Sequence, residues 1–379
     1  MANLVLYRKY RPQTFSEIVG QEHIVKTLTN AVLSDMISHA YLFSGPRGTG
    51  KTSTARLLAK AINCKNPKGF EPCNKCSSCL EIMNGNSMDL IEIDAASHRG
   101  IDDIRELRDG IKFAPNKLKY KVFIIDECHQ LSKDAANALL KTLEEPPSHA
   151  IFILATTEIH KMIPTILSRC QRFDFRKLTA EEITKRLEKI SKLEKSKIEK
   201  AALELIALYS SGSIRDAESL LDQAITFSGY SKKEIKAEDI KNLLGLIEVK
   251  LVSQFIDLVF QKKASEAINF LNETLEKGID VQEMAKAIIN YLRQGLILKI
   301  SDVKENKNPI ISGLTKEEFE TLKKQVTGLE EKELQKILNL FLEGASKIKY
   351  SPIPQLPLEL AIIECASEAQ VENSAEMKE

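Results

Sequence analysis

The sequence predicts an α/β fold, a parallel sheet covered by helices on both faces, followed by a remainder built of helices alone. Three observations predict it. Apolar strand-like runs alternate with helical patterns across residues 38–175, the order that builds parallel sheets. The runs at 121–125 and 150–155 are continuously apolar rather than alternating, as strands buried on both faces are. From Thr179 onward the strand signal largely disappears and helical periodicity takes over.

Composition bounds the rest. A chain of 379 residues holds about two or three domains. With 54 Lys and Arg against 53 Asp and Glu the formal net charge is +1, so no global basic field points to nucleic acid and any such contact has to be local. The N-terminus lacks the apolar core of a signal peptide, and no apolar run approaches the roughly 18 residues of a membrane span. A cytoplasmic protein with no membrane partner is the expectation. Seven cysteines, four of them crowded into 64–79, argue against a secreted disulfide framework and for metal binding.

Taken in order, the chain opens on Tyr7-Arg8-Lys9-Tyr10-Arg11-Pro12, a basic cluster that suits either a solvated face or the edge of a nucleotide site. Ile24, Leu28, Ala31 and Val32 at helical spacing predict a helix from about Gln21 to Leu33. Leu42-Phe43-Ser44 then breaks into Gly45-Pro46-Arg47-Gly48-Thr49-Gly50-Lys51-Thr52-Ser53 and restarts as Thr54 to Lys60. Gly45 and Gly50-Lys51-Thr52 fit G-x-x-x-x-G-K-[ST], with a strand before and a helix after. Glycines let backbone N–H groups curl inward, and the helix aims its positive dipole end at the same spot, so anionic phosphate is the natural occupant. Similarity to P-loop proteins implies that Lys51 reaches the β- and γ-phosphates of a nucleotide and that Thr52 ligates Mg²⁺.

Cys64, Cys73, Cys76 and Cys79 follow as C-x8-C-x2-C-x2-C, with turn residues Asn66-Pro67-Lys68-Gly69 in the gap. Four thiolates at this spacing close a tetrahedral Zn²⁺ site, which a full shell makes structural rather than catalytic. Glu71-Pro72 and Asn74-Lys75 are too polar for the alternative, a buried helix face of small residues. Asp89 to Asp94 alternates as a strand, and a helix is expected from Ile101 to about Lys112.

Lys121-Val122-Phe123-Ile124-Ile125 ends in Asp126-Glu127. A carboxylate at the tip of a strand beside a P-loop holds Mg²⁺ through water, and a second one orients and deprotonates the attacking water. Asp126 and Glu127 are assigned those roles. A Cys128–His129 nucleophilic dyad is rejected, because neighbours on a strand end point to opposite faces. A helix from Asp134 to Glu145 stops at Pro146-Pro147, and the strand at 150–155 runs into Thr156-Thr157-Glu158, where a polar side chain can meet the γ-phosphate or the water. Arg169 sits just past the last helix of the unit. Thr179 with Glu182 forms a capping box, followed by helices near 180–192, 197–210, 213–228 and 236–245, then amphipathic helices over 249–366 and a polar tail.

With these pieces in order the chain resembles the AAA+ ATPases, and more narrowly the gamma/tau family of bacterial DNA polymerase III, the clamp-loader motor. Tyr10-Arg11-Pro12 with Val19-Gly20-Gln21, the P-loop, the four cysteines, Asp94-Ala95-Ala96-Ser97, Asp126-Glu127, Ser168-Arg169-Cys170 and Gly212-Ser213-Ile214-Arg215-Asp216 carry the resemblance. It implies a nucleotide-binding domain at 1–178 with a zinc module at 64–79, a helical lid at 179–245, an oligomerisation collar at 246–366 and a flexible tail at 367–379. It implies ATP, Mg²⁺ and Zn²⁺ as cofactors, and Tyr7, Arg11 and Val19 at the adenine end.

The resemblance also assigns Thr157 as the sensor of the γ-phosphate, with Thr156 as a near alternative, Arg169 as an arginine finger acting on a neighbour's nucleotide, and Arg215 as a lid arginine acting on its own. It implies delta and delta-prime subunits, further copies of this chain, the beta sliding clamp and primer-template DNA as partners, with Arg99 and Arg105 on DNA phosphates. The end of the chain soon after Pro357-Leu358-Glu359-Leu360 resembles the short gamma form or a truncated longer chain, so the resemblance does not extend to polymerase or helicase tethering. Two rival readings stand against this one. An archaeal or eukaryotic clamp-loader small subunit is opposed by the cysteine insertion, and a nucleotide-gated scaffold without turnover is opposed by intact Lys51, Thr52, Asp126 and Glu127.

Overall fold

The structure is a computed structural model that describes residues 4–97, 110–111, 113–229, 234–245, 247–300 and 314–376. It divides into two compact units, Met1–Ala237 and Glu238–Glu379. The expected helix over Ile101–Lys112 lies outside the described residues except for 110–111, which are helical, and the expected DNA contacts Arg99 and Arg105 lie outside them.

The first unit is built on five strands: β1 (Ala40–Ser44), β2 (Leu90–Asp94), β3 (Lys121–Asp126), β4 (Ala150–Thr156) and β5 (Gln171–Asp174). They pair in the order β2-β3-β4-β1-β5, every pair parallel. Alternate residues of a strand supply opposite faces. Tyr41 and Phe43 pack under α2 (Glu22–Leu33) and α3 (Lys51–Ile62) with Leu28, Leu58, Ile153 and Phe173, while Leu42, Phe123, Phe152 and Leu154 pack on the other face with Leu139 of α5 (Lys133–Glu144). Both faces are therefore covered, which is why β1 and β4 are buried throughout. A short α1 (Leu6–Lys9) precedes α2, α4 (Ser77–Asn84) follows the cysteines, and α6 (Pro164–Leu167) leads into β5.

Strand β5 is a correction to the sequence reading, which passed over Gln171-Arg172-Phe173-Asp174. Only Phe173 is buried there, so this edge strand lacks the apolar run that marks the central ones. Its position matters: Ser44↔Asp174 pairing brings its tip beside the P-loop.

Helices α7 (Ala180–Leu193), α8 (Lys200–Tyr209) and α9 (Ile214–Phe227) complete the unit, and α7 opens on the expected capping box, Thr179 with Glu182. Arg176 donates to Glu182 at 2.6 Å and holds its carboxyl down at about 2. Ile214 N–H donates to the Gly48 carbonyl at 3.1 Å, fastening the start of α9 to the P-loop.

Asp89, 3% exposed, pins the approach to β3. Its carboxylate accepts from the N–H groups of Asn116, Lys117 and Leu118 at 2.7, 2.8 and 3.0 Å. Burial pushes the carboxyl up, but the three N–H donors outweigh it and hold its pKa below the usual aspartate value. A depressed folded-state pKa contributes stability that is present above the unfolded value and lost as pH falls through the folded one. Asp89→Asn, which keeps the shape and removes the charge, is expected to lower unfolding free energy by about 1–3 kcal/mol. Urea titration at neutral pH checks the size, and the gap between variant and parent should shrink below about pH 4.

The second unit contains α11 (Val249–Phe260), α12 (Ala264–Glu276), α13 (Val281–Ile300), α14 (Lys316–Thr327), α15 (Glu331–Ile348) and α16 (Leu356–Glu376), while α10 (Ala237–Leu243) lies at the boundary between the units. Its core gathers Phe255, Leu271, Ile288, Leu292, Leu334, Phe341 and Leu358, the apolar stripes of amphipathic helices turned inward. α16 continues to Glu376, through most of the stretch expected as a flexible tail.

Candidate active site and cysteine cluster

The P-loop follows from two close approaches. Gly45 has φ +141°, and a Cβ there would stand 2.2 Å from the Phe175 carbonyl oxygen. A Cβ on Gly48, φ +74°, would stand 1.9 Å from Ser213 Oγ. Only glycine permits both contacts, with β5 on one side and the start of α9 on the other. Gly50, also left-handed, begins α3, and no side chain caps that terminus. Its first-turn N–H groups are left for a ligand.

Tyr7, Arg11, Pro12, Arg47, Gly48, Gly50, Lys51, Thr52, Ser53, Asp126, Glu127, Ile214, Arg215 and Glu218 line one cleft. Lys51, 6% exposed, donates to the carbonyls of Gly45 and Pro46 at 2.7 and 2.8 Å. Burial lowers its pKa while Glu127 and Asp126 raise it, and burial wins. The result is a desolvated cation in a ring of glycine backbone, a fit for phosphate.

The two adjacent carboxylates separate. Asp126 accepts the Thr52 hydroxyl at 2.6 Å. Glu127, at φ +47°, turns away and accepts Thr157 Oγ1 at 2.8 Å. Thr52 and Asp126 thus form a hard-oxygen pair suited to Mg²⁺, while Glu127 borders a second cleft lined by Thr157, Glu158, Arg172 and Asp174. Thr157 reaches Glu127. Thr156, fully buried, instead meets His129 Nδ1 at 3.0 Å.

Arg215, from the start of α9, lies over the Tyr7 ring at 4.8 Å. Thr49 belongs to the loop but turns inward, its hydroxyl donating to the Pro46 carbonyl at 2.9 Å. Val19 does not line the cleft. Arg169 does not line it either; it pairs with Glu144 at 2.6 Å. Cys128 and His129 do point apart, but the reason differs from the expected strand alternation. They sit in a 3₁₀ turn, Cys128–Gln130, with Cys128 buried against Met162 Sδ at 3.5 Å.

One cleft residue, Glu218, and its partner Arg186 escaped the sequence reading. Glu218 and Arg186 form a buried ion pair at 3.1 Å, and burial pushes the Glu218 carboxyl up to about 7 despite the guanidinium. The signal was present: α9 buries Ala217, Glu218, Leu221, Ala224 and Ile225, so a carboxylate occupies the apolar stripe.

The sulfurs of Cys64, Cys73, Cys76 and Cys79 all lie within 4.8 Å of one another, and Cys73 and Cys79 are 3.9 Å apart. A tetrahedral site with bonds of about 2.3 Å has an edge of about 3.8 Å, so the group is able to hold a metal. The N–H groups of Cys73, Cys76 and Cys79 donate to the sulfurs of Cys64, Cys73 and Cys76. The N–H groups of Lys75 and Cys76 lower the Cys73 thiol to about 6, poising it as the thiolate that metals bind.

A P-loop beside an acidic strand tip, on a parallel sheet with a helical lid fastened over it, defines the AAA+ class. Three family profiles divide the chain: "DNA polymerase III, delta subunit" matches residues 20–179, "DNA polymerase III clamp loader subunit, ATPase lid domain" matches 182–230, and "DNA polymerase III subunits gamma and tau domain III" matches 235–378. The DNA polymerase III subunit gamma of Buchnera aphidicola is 36% identical over 96% of this chain and 98% of its own length. The subunit tau of Bacillus subtilis is 46% identical over 96% of this chain and 63% of its own length, and that of Escherichia coli 42% over 79% and 46%. The chain belongs to the gamma/tau family of DNA polymerase III subunits. It spans about half to two thirds of the length of these tau relatives. Among the described residues no helix is long and apolar enough to cross a membrane.

Proposed function

We propose that this chain binds and hydrolyses ATP in the cleft above α3 and uses it, as the motor subunit of a bacterial clamp loader, to place a sliding clamp on primed DNA in the cytoplasm. One observation supports this most directly. Thr52 and Asp126 meet at 2.6 Å beside Lys51, with Arg215 of the lid lining the same cleft. Residues from four separate stretches, within 7–12, 47–53, 126–127 and 214–218, converge on one cleft.

Lys51 and the N–H groups of Gly48 to Ser53 would hold the phosphates, and Tyr7 and Arg11 the base and ribose end. Mg²⁺, carried by Thr52 and through water by Asp126, would neutralise charge on the phosphoryl oxygens. Glu127 orients the attacking water and takes its proton, with Thr157 fixing the carboxylate. Arg215 senses the phosphate state from the lid, and Arg169 acts on a neighbour. The nucleotide domain is then 1–178 and the lid 179–245, the lid's last residues falling past the end of the first unit at Ala237, and helices over 246–366 assemble the ring with delta, delta-prime and other copies of this chain.

Steady-state ATP hydrolysis by the chain reconstituted with delta, delta-prime and clamp, with and without primed DNA, tests this. DNA and clamp together should stimulate turnover, and no stimulation would sink the clamp-loader assignment.

Zn²⁺ is the proposed occupant of the four cysteines. Metal analysis should find one zinc per chain, and its removal should expose the four thiols together and loosen the segment around α4. An absence of zinc would leave the cysteines without this role.

A further inference from the structure

We infer that Arg186 and Glu218 act as a positioning joint, tying the N-terminal segment to the lid and so shaping the base end of the nucleotide cleft. The inference rests on the cleft being the nucleotide site, but its structural half can be tested without nucleotide. Arg186 Nε donates to Glu218 Oε1 at 3.1 Å, and the side chains are only 8% and 7% exposed. Arg186 Nη2 donates to the backbone carbonyl of Tyr10. One guanidinium on α7 therefore holds α9 through its carboxylate and the segment after α1 through its backbone.

Both held pieces carry cleft residues. Tyr7 and Arg11 flank Tyr10, and Arg215 stands one turn before Glu218 on α9. The Arg215 guanidinium over Tyr7 is the point where the two pieces meet. A further side-chain tether on α1 is Lys9 with Glu194 at 2.7 Å, with Lys9 half exposed. Such a solvated pair fixes little.

Burial argues for placement rather than stability. Desolvating two charges costs about as much as their attraction returns, so a well-packed apolar pair of similar volume is often equally stable, whereas deleting one partner strands a charge. What an apolar pair lacks is direction: it has no donor for the Tyr10 carbonyl and no fixed angle between α7 and α9.

The test is the full-length double variant Arg186→Met with Glu218→Leu, against the parent. Hydrogen exchange without nucleotide is read on the backbone amides of residues 6–11. The joint predicts at least about tenfold faster exchange there, with the strands of the sheet unchanged. Affinity for a non-hydrolysable fluorescent ATP analogue should weaken at least about tenfold, and in hydrolysis the loss should fall on KM rather than on kcat. Unchanged exchange at 6–11 in a folded variant overturns the joint, whatever the nucleotide does. Faster exchange with unaltered analogue affinity overturns its role in shaping the cleft. A parent chain that fails to bind the analogue would count against the ATP assignment instead, leaving the exchange result to decide the joint. Should the double variant not fold, Arg186→Lys serves: it keeps the charge but cannot span Glu218 and Tyr10 together, and the same exchange and affinity changes are expected.

Discussion

Lys51→Ala is expected to abolish ATP hydrolysis and to weaken nucleotide binding by at least about 100-fold. The affinity loss corresponds to about 3 kcal/mol, the upper range for a hydrogen bond to a charged group. The local setting justifies that end of the range. Lys51 is nearly fully buried, and burial already disfavours its charge, so a phosphate replacing the Gly45 and Pro46 carbonyls as its partner meets an ammonium with little competing water. Removing it also takes away the ammonium that faces Asp126 and Glu127, so the field in the cleft becomes less favourable to an anion. The fold should survive, because the neighbouring Leu57 and Leu58 of α3, not Lys51, fill the core. Equilibrium binding of a fluorescent ATP analogue, hydrolysis assays and a melting curve together check this. Hydrolysis near the parent rate would remove Lys51 from the mechanism.

The P-loop was legible because its chemistry is local: nine consecutive residues hold the glycines, the lysine and the hydroxyl. Asp126 and Glu127 were legible for the same reason, as the end of an apolar strand. The geometry that separates them was not. It depends on the left-handed turn at Glu127, which sends one carboxylate to Thr52 and the other to Thr157, and nothing in a pair of adjacent acids announces a sign change in φ. The residues alone left Thr156 and Thr157 open, and only the family resemblance favoured Thr157, for a related reason: which of two neighbours faces the cleft is set by where β4 ends. That Arg186 is the partner of Glu218 stayed hidden because ion pairing across 32 residues leaves no spacing rule. β5 was missed because pairing partners, not its own polarity, make it a strand. The clearest sequence signals were those written within one turn or one strand.

Arg169→Ala is expected to spare ATP binding and to slow turnover in the assembled complex by about 1000-fold or more. In this chain Arg169 is engaged elsewhere, donating to Glu144 at 2.6 Å and to the Thr165 carbonyl at 2.8 Å. The magnitudes decide whether that engagement matters. With side chains 32% and 47% exposed, the Glu144 pair is a solvated one worth about 0.2–1 kcal/mol. A thousandfold effect on rate is about 4 kcal/mol. Leaving Glu144 therefore costs much less than a neighbour's phosphoryl group returns, and Glu144→Ala should change assembled turnover by no more than a few fold. If Arg169 were only a local structural pair, the two variants would behave alike. Mixing gives a sharper test. Complexes made only with Lys51→Ala chains, or only with Arg169→Ala chains, should be inactive, since each site lacks either its own lysine or its neighbour's arginine. In complexes containing both, an Arg169→Ala chain keeps Lys51 and can receive Arg169 from an adjacent Lys51→Ala chain. Part of the activity should return, and its failure to return would place Arg169 in its own site or outside the reaction.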